Sequence, residues 1–463
     1  MTSGRRQDTL DSRSPQDPAD VVVTVPASSP EQVAGCVERA RSAAGAWRRS
    51  PAAERGDALT RLAAGVDAAA GELAGLIVRE VGKPAAEAAA EVGRAAAILR
   101  YYAGQALGAE GDVLPAPDGR SLLHTRRRPH GVAGLVTPWN FPLAIPVWKL
   151  APALAFGNTV VLKPAEESPA VALRLAELAR EVLPEDVLRV VTGDATTGAA
   201  LVDLADVVSF TGSVRAGRAV REAAARRGVP VQCEMGGQNP SLVLPDADLG
   251  AAARTIAAAA MGYAGQKCTA TSRVIVVGDA EGFAERLAAA VGDLAVGDPA
   301  DPAVAVGPVI DQGARDRVVG AVESARAAGA RVVTGGSPLE SPGWFVGPAV
   351  LTGLPPGHEL SREEVFGPVC AVIPAADAGE AVRIANDVRY GLVAAVFTRD
   401  LGAALDAVDL LDAGMIRINA ATTGVDYHAP FGGSKESGSG PREQGTAARL
   451  FYTESRTITI SPP

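Results

Sequence analysis

The sequence predicts an α/β fold in which two parallel-sheet domains enclose a cleft. Between residues 131 and 233, short apolar runs alternate with helical stretches, a pattern typical of parallel strands covered by helices on both faces. A second α/β series extends from about residue 246 to about residue 419. The length of 463 residues exceeds one ordinary core, and no repeat of fixed period joins the two series, so we interpret them as separate domains.

The N-terminal region is predicted to be helical after a flexible beginning. Residues 1–28 are polar and contain prolines. Ser29, Pro30 and Gln32 then form the pattern of a capping box at the start of a helix. Amphipathic stretches at about residues 52–81 and 84–107 predict further helices that bury one apolar face.

The first α/β series is predicted to alternate five strands with four helices. The strands are expected at residues 131–136, 159–163, 187–191, 207–210 and 229–233. The helices are expected at residues 145–156, 169–182, 197–203 and 216–227. Because such a sheet binds its ligand beyond the carboxyl ends of its strands, the polar motifs that follow these strands are expected to meet in one cleft.

The second series begins with a predicted helix at residues 249–264, a strand at 273–277 and a helix at 281–291. Two extended segments, at residues 122–127 and 449–460, lie outside both series. Exposed edges of this kind usually pair with another strand. We therefore expect these two segments to make subunit contacts.

Composition argues against several classes of function. A net charge of −9 disfavours nucleic-acid binding, and Arg126, Arg127 and Arg128 are interpreted as a solvated or subunit-facing edge. The four cysteines and four histidines lack the spacing of a disulfide framework, a zinc site or another metal site. Without an apolar signal peptide or a run of about 18 apolar residues, the protein is expected to be cytoplasmic and away from membranes.

The strongest chemical signal is the segment GQKCT at residues 265–269. A glycine ahead of a cysteine places the thiol at a transition from helix to loop. A lone cysteine is more often buried in a core, but three polar neighbours argue against that interpretation of Cys268. A thiol attacks a carbonyl as the thiolate, and its ordinary pKa is about 8.5, so it needs a base or amide dipoles nearby.

Two further motifs follow predicted strands. Glu234 begins EMGGQNP, where it could act as a base, cap a turn or form an ion pair, and the two glycines after Met235 allow close approach of a ligand. Asn140 lies between prolines in TPWNFP, at residues 137–142. Its amide could donate to an oxyanion or cap a turn.

Two motifs favour a nucleotide. FTGSVRAG, at residues 210–217, predicts a strand, a glycine-rich turn and a helix, which is a geometry that receives a pyrophosphate. The spacing is GxxxxG rather than GxGxxG, so this motif is weak alone. KPAE, at residues 163–166, offers Lys163 and Glu166 either to ribose hydroxyls or to a surface ion pair.

Taken together, the motifs form the signature of one family. From about residue 20 to its end the chain resembles the aldehyde dehydrogenase superfamily, and Cys268 follows Glu234 by 34 residues, the interval usual in that family. The matching motifs, in order, are PWNFP (138–142), KPAE (163–166), FTGS (210–213), EMGG (234–237), GQKC (265–268), EEVFGP (363–368) and PFGG (430–433).

The resemblance implies a catalytic set. Cys268 would be the nucleophile and Glu234 the general base, and Asn140 would form the oxyanion hole with the backbone N–H of Cys268. Lys149, in WKLAP, and Glu443, in PREQG, match positions linked to proton relay. No metal is implied.

The resemblance also implies NAD as cofactor, with NADP as the alternative. Lys163 and Glu166 would bind the adenosine ribose, Glu364 the other ribose, and Phe366 would pack near the nicotinamide. A carboxylate at Glu166 would compete with a 2′-phosphate, which favours NAD. The remaining expected cofactor contacts are Thr137, Pro138, Trp139, Ala165, Gly193, Phe210, Thr211, Gly212, Ser213, Gly217, Met235 and Gly236.

The implied architecture is two Rossmann-like domains plus a small β oligomerisation element. Residues 1–111 and 130–235 would form the NAD-binding domain, and residues 236–445 the catalytic domain. Residues 112–129 and 446–463 would form the oligomerisation element of a homodimer or homotetramer. The N-terminus looks shorter than in many relatives, which puts the first hairpin of the family in doubt.

The expected substrate is a small anionic semialdehyde. Residues 265–273 and 424–430 resemble the 2-oxoglutarate semialdehyde (2,5-dioxopentanoate) branch of the family. One alternative is a CoA-acylating enzyme, a class that often lacks a residue equivalent to Glu234. Another is a relative that keeps the fold without activity. Gln238 replaces the usual lysine of the family, at a position that is not catalytic.

Overall fold

The computed structural model describes residues 9–463. Its helices are α1 (Pro30–Arg49), α2 (Ala52–Ala68), α3 (Ala70–Val81), α4 (Ala85–Gln105), α5 (Ala144–Ala155), α6 (Pro169–Arg180), α7 (Ala195–Val202), α8 (Val214–Arg227), α9 (Leu249–Met261), α10 (Ala280–Gly292), α11 (Gln312–Ala327), α12 (Glu359–Arg362), α13 (Ala378–Asn386), α14 (Leu401–Leu410) and α15 (Ala447–Tyr452). Its strands are β1 (Thr9–Arg13), β2 (Val21–Pro26), β3 (Val113–Leu114), β4 (Leu122–Pro129), β5 (Val132–Val136), β6 (Thr159–Lys163), β7 (Leu188–Val190), β8 (Val207–Thr211), β9 (Val231–Glu234), β10 (Asn239–Val243), β11 (Thr271–Val277), β12 (Arg331–Thr334), β13 (Ala349–Thr352), β14 (Val369–Ala375), β15 (Tyr390–Gly391), β16 (Val393–Phe397), β17 (Met415–Ile418), β18 (Ser434–Lys435), β19 (Gly438–Ser439) and β20 (Thr453–Ile460).

Two large sheets dominate the fold. The first has the order β19-β9-β8-β5-β6-β7 and is parallel except for β19. The second has the order β12-β13-β14-β11-β10-β16-β17 and is parallel except for β12. The predicted α/β class with two Rossmann-like parallel sheets is therefore confirmed.

The register of the first sheet brings its carboxyl ends level. Val136 lies opposite both Lys163 and Phe210, and Thr211 lies opposite Glu234. The segments that leave β5, β6, β8 and β9 therefore start from one edge. This edge is where a parallel sheet of this type binds its ligand.

The amino ends of strands in the second sheet face that edge. Only residues 235–238 separate the last residue of β9 from the first residue of β10. The amino ends of β10, of its parallel neighbour β11 and of the next strand, β14, consequently approach the carboxyl ends of the first sheet. The loops that precede β11 and β14 carry Cys268 and Glu364 into the space between the sheets.

Helix α5, which follows the PWNFP segment, is buried along its whole length. Its N-terminus is held by Glu91 of α4, whose Oε1 accepts hydrogen bonds from the backbone N–H groups of Leu143 (2.9 Å) and Ala144 (3.0 Å). Lys83 pairs with the other oxygen of Glu91 in a fully buried ion pair. A buried charge needs such partners, and this cluster fixes the helix that carries Lys149.

The expectation of a flexible N-terminal segment is wrong for residues 9–26. The β-branched run from Val21 to Val25 pairs antiparallel with β1, and Ser12 donates to the backbone oxygen of Glu167 at 2.9 Å. The doubt about a first hairpin was therefore misplaced. Residues 1–8 of that expected segment lie outside the described residues.

Two helix boundaries also differ from expectation. Residues 52–81 form two helices, α2 and α3, which break at Ala69. The helix expected at residues 249–264 ends at Met261, because Tyr263 and Ala264 adopt left-handed backbone conformations with φ of 55° and 52°. This early end releases the loop that carries Cys268.

The two segments outside the large sheets pair with each other. β20 runs antiparallel to β4 over residues 453–460, and β3 covers the other edge of β4. A small β element thus exists, while its role in oligomerisation and the domain boundaries stay predictions. Among residues 9–463, no helix combines the length and apolarity needed to cross a membrane.

Candidate active site

The loop of Cys268 is shaped by a left-handed turn. Tyr263, Ala264 and Gly265 have φ of 55°, 52° and 66° in succession. Asn239, the first residue of β10, then holds the loop, because its Nδ2 donates to the backbone oxygens of Cys268 (2.7 Å) and Ala270 (2.8 Å). The sequence analysis did not single out Asn239, although it lies within the EMGGQNP motif that carries Glu234.

The predicted oxyanion donor contacts the same loop. Asn140 is buried, and its Nδ2 donates to the backbone oxygen of Gln266 at 2.9 Å. The side chain of Gln266 is itself held by the backbone of Tyr263, Pro308 and Ile310. An asparagine amide has two N–H groups, so Asn140 has a second donor beside the sulfur loop.

Glu234 ends β9 and is buried, with one carboxylate oxygen, Oε2, lacking a hydrogen-bond partner among residues 9–463. Burial raises its pKa well above the ordinary 4.5, and repulsion from Glu443 raises it further, whereas Lys149 and Arg442 act in the opposite direction. Gly432 lies against this carboxylate, and a Cβ at that position would overlap Glu234 Oε1. A free, buried carboxylate of this kind is typical of a catalytic base.

Lys149 and Glu443 form a buried ion pair. Lys149 Nζ also donates to Ser209 Oγ at 2.8 Å, and Ser209 lies 3.1 Å from Glu443 Oε1 and 3.2 Å from Gln232 Oε1. Glu443 Oε2 has no partner among the described residues. The sequence analysis missed Ser209 and Gln232, although each is a polar residue within a largely apolar strand.

Cys268 lies half-buried beside these groups. Burial raises the pKa of its thiol, and the carboxylates of Glu364 and Glu234 raise it further. The thiol is therefore protonated at neutral pH in this arrangement. Its use as a nucleophile requires a nearby base.

The carboxyl edge of the first sheet also carries unpartnered polar groups. Lys163 is buried, burial lowers its pKa, and its Nζ makes no hydrogen bond within residues 9–463. The hydroxyls of Thr137 and Thr211 are also buried, and neither has a hydrogen-bond partner among residues 9–463. Buried polar groups are almost always hydrogen-bonded, so these three groups fit a polar ligand along this edge.

Glycines allow close packing at the same edge. A Cβ at Gly212 would lie 2.6 Å from the ring of Phe210, and one at Gly217 would lie 2.5 Å from Met235 Sδ. Ser213 caps α8 through a hydrogen bond from the backbone N–H of Ala216 at 3.3 Å. These residues fit the expected turn for a dinucleotide pyrophosphate.

Glu364 and Phe366 close the cleft from the second sheet. Glu364 Oε1 accepts from the backbone N–H of Gly237 at 3.0 Å, and a Cβ at Gly236 would overlap its other oxygen. Burial raises the pKa of Glu364 to about 7. Phe366 packs edge-to-face on Trp139, with 5.6 Å between ring centroids, so the two loops meet across the cleft.

Gln238 holds the segment that carries Glu364. Its Nε2 donates to the backbone oxygens of Leu360 and Glu363, both at 2.9 Å, and its Oε1 accepts from Ser272. Gln238 is therefore a positioning residue rather than a neutral departure from the family. The other expected cofactor residues lie nearby in sequence but outside this cluster of contacts: Pro138 and Ala165 follow strands, Glu166 is exposed, and Gly193 adjoins Thr197.

A cavity of about 220 Å³ leads to the sulfur. Its lining residues are Glu87, Ala90, Glu91, Arg94, Phe141, Ala144, Ile145, Trp148, Lys267, Cys268, Thr269, Thr423, Gly424, Val425 and Phe431. A larger cavity of about 730 Å³ is lined by arginines near β4 and β20. The larger cavity is lined by no cysteine, whereas Cys268 lines the smaller one, so the smaller one is the candidate substrate channel.

Gly265→Ala is expected to lower kcat/KM at least ~10-fold. The residue has a φ of +66°, and a Cβ there would lie 2.9 Å from the backbone oxygen of Ala260 and overlap that of Gly367. The loop that carries Cys268 must shift, and small displacements of reacting groups can cost about 100-fold. Steady-state kinetics would measure the loss.

Gly228→Ala is the matched control for that substitution. Gly228 has the same φ of +66°, but a Cβ there would meet nothing within 4 Å. It should cost about 1 kcal/mol of stability through backbone strain alone and leave kcat/KM unchanged. Equal kinetic effects in both variants would refute the role given to Gly265.

Comparisons with known proteins identify the family of the chain. The model of the aldehyde dehydrogenase family matches residues 2–458. The chain is 42% identical over 457 residues to the alpha-ketoglutaric semialdehyde dehydrogenase of Bacillus subtilis (strain 168), covering 97% of this chain and 94% of that protein. It is 41% identical over 421 residues to retinaldehyde dehydrogenase 3 of Mus musculus, covering 89% and 82%.

A solved structure has a closely similar fold. The betaine aldehyde dehydrogenase of Staphylococcus aureus, crystallised in complex with NAD+, superposes with a TM-score of 0.95 at 31% identity, over 98% of this chain and 93% of that one. Family model, relatives and fold thus agree along nearly the whole sequence. The chain therefore belongs to the aldehyde dehydrogenase family, whose members are oxidoreductases that act on aldehydes.

Proposed function

We propose that this protein oxidises a small semialdehyde that carries a carboxylate, such as 2-oxoglutarate semialdehyde, to the corresponding dicarboxylate with NAD as acceptor. The observation that carries the proposal is the meeting of a thiol, a free buried carboxylate and an asparagine amide at one cleft. Cys268 supplies the thiol, Glu234 the carboxylate and Asn140 the amide. Each type of group matches one need of aldehyde oxidation.

The first half of the reaction uses Cys268. Once Glu234 has taken the thiol proton, the sulfur attacks the aldehyde carbon, and the carbonyl oxygen becomes an alkoxide. Asn140 and the backbone N–H of Cys268 stabilise this charge, a type of interaction whose loss typically costs ~100- to 1,000-fold in rate. The carbon then loses a hydride as the C=O bond re-forms, which leaves a thioester on Cys268.

The second half uses Glu234 again, after Glu234 has released the thiol proton to solvent. It removes a proton from water, the resulting hydroxide adds to the thioester carbon, and the sulfur leaves as thiolate with release of the acid. The raised pKa of Glu234 suits a base that must accept a proton near neutral pH. We propose that Glu443 and Lys149 carry that proton onward, because the Lys149–Glu443 pair lies beside Glu234 and Glu443 keeps one free oxygen.

NAD, when bound, supplies the acceptor for the hydride that leaves the substrate. Lys163, Thr137 and Thr211 are the buried groups whose missing partners favour such a ligand. Glu364 would bind ribose hydroxyls from the second sheet, and Glu166 disfavours the 2′-phosphate of NADP by charge. The NAD+ complex of the Staphylococcus aureus relative supports this assignment.

The substrate class is supported by several relatives and by charge. The Bacillus subtilis protein is an alpha-ketoglutaric semialdehyde dehydrogenase at 42% identity, but the mouse retinaldehyde enzyme is almost as similar at 41%. Identity therefore does not choose between an anionic and an apolar aldehyde. The channel lining favours the anionic one, because Arg94 is the one charged group of that lining without an ion-pair partner among residues 9–463.

A substrate screen tests this function. Purified protein should reduce NAD faster than NADP with 2,5-dioxopentanoate or succinate semialdehyde, and it should release the free acid whether or not CoA is present. Formation of an acyl-CoA only when CoA is added would favour the acylating alternative. Absence of turnover with every aldehyde would favour a relative that has kept the fold alone.

A further inference from the structure

We infer that Arg94 binds the distal carboxylate of the substrate and thereby selects semialdehydes that are acids at their far end. The inference rests on the proposed function and adds the residue that recognises the anion. Arg94 and Cys268 line the same cavity of about 220 Å³. One molecule in that cavity can therefore contact both side chains.

Helix α4 places Arg94 in the channel. Glu87, Glu91 and Arg94 follow one another at spacings of four and three, so they share one face of the helix. All three line the cavity. The position of the cation is thus fixed by a rigid helix rather than by a loop.

Arg94 is the charge in this lining that lacks an opposite charge. Lys267 pairs with Glu87 at 2.8 Å, and Glu91 is held by Lys83 and two backbone N–H groups. Among residues 9–463, no carboxylate pairs with Arg94, whose hydrogen bond goes to the backbone oxygen of Val425. A guanidinium has five N–H donors, so most of its donors remain for a ligand.

The rest of the channel lining is largely apolar around this cation. Apolar side chains supply much of the wall, chiefly Phe141, Ile145 and Phe431. Trp148 lines the same wall, and its indole N–H is buried without a partner among the described residues. A carboxylate would pair with the guanidinium in the bidentate geometry that arginine favours.

A purely structural role for Arg94 is the rival explanation. Its bond to Val425 could serve only to hold the loop around residues 423–425 against α4. Such a role would affect all aldehydes alike, because every substrate passes the same wall. A role in recognition would affect only substrates with the negative charge.

The test compares 2,5-dioxopentanoate with its methyl ester in wild type and in Arg94→Gln. Glutamine keeps an N–H for Val425 but removes the charge. The expected result is a ~10- to 100-fold loss of kcat/KM for the acid, mainly through KM, since hydrogen bonds to charged groups contribute about 1.5–3 kcal/mol. The ester should change less than ~2-fold, and Arg94→Lys should retain part of the preference for the acid.

Two outcomes would overturn the inference while leaving the proposed function intact. One is an equal loss for acid and ester in Arg94→Gln, which would assign a structural role. The other is a wild-type protein that oxidises the ester as well as the acid. Failure of wild type to oxidise any aldehyde would instead overturn the proposed function itself, and the inference with it.

Discussion

Replacing Cys268 by alanine is expected to abolish aldehyde oxidation, with kcat reduced at least ~1,000-fold. The sulfur is the only thiol in the lining of the candidate channel, and without it no thioester can form. Removal of a covalent nucleophile typically eliminates most of the catalysed rate. NAD should still bind with a Kd within about twofold of wild type, since none of the groups proposed to hold the nucleotide is changed.

Cys36→Ala is the control. Cys36 and Cys268 are the two partly exposed cysteines, whereas Cys233 and Cys370 are buried. Cys36 lies on α1, away from the channel, so its loss should leave kcat unchanged. Thiol labelling would check both variants. Substrate should protect one thiol from labelling in wild type and in Cys36→Ala, but it should protect none in Cys268→Ala. Retained turnover in Cys268→Ala would end the proposed mechanism.

The sheets and most helices could be predicted because their signals are local. Apolar runs such as residues 159–163 and capping residues such as Ser29 define their elements without reference to the rest of the chain. The hairpin of residues 9–26 could not be predicted in this way, since its stability depends on contacts with residues that are distant in sequence. Ser12, for example, bonds to Glu167, which is 155 residues away.

The chemistry-bearing residues were foreseen from motifs, but the groups that position them were not. Asn239 holds the sulfur loop, and Gln238 holds the segment before Glu364. Both act through their side-chain amides on backbone oxygens. Those oxygens belong to segments that precede β11 and β14, so they can be identified only once β10, β11 and β14 lie in one sheet. A polar side chain within an apolar strand, such as Ser209, is the signal that could have found such positions.

Replacing Glu234 by glutamine is expected to separate the two halves of the reaction. The thioester should still form once per active site and give a burst of NADH, but more slowly than in wild type, because the thiol proton must then pass to water. It should then persist, because no base remains to activate water for hydrolysis. Steady-state turnover should fall ~100- to 10,000-fold, the range associated with general-base catalysis. Rapid-mixing kinetics would measure the burst, and hydroxylamine should restore turnover by cleaving the thioester directly. Normal steady-state turnover would show that another group is the base.

The pH dependence follows from the environment of the same carboxylate. Glu234 must be ionised to act, and burial and Glu443 raise its pKa well above 4.5, so kcat should rise with pH through a correspondingly raised apparent pKa. Glu443→Gln removes the repelling charge and leaves Lys149 unpaired. Both changes lower the pKa of Glu234, so the acidic limb of the profile should move to lower pH. A shift to higher pH would contradict the assigned coupling.

The contribution of Glu234 to the free energy of unfolding should fall as pH rises, whereas its contribution to kcat should increase. Because the folded-state pKa of Glu234 lies above its unfolded value near 4.5, its contribution to the free energy of unfolding is fully present below pH ~4.5 and is lost as pH rises through the folded pKa. Glutamine carries no such titration. The Glu234→Gln variant should therefore gain in Tm relative to wild type as pH increases, while losing turnover, since a buried carboxylate without a full set of partners destabilises the fold that uses it.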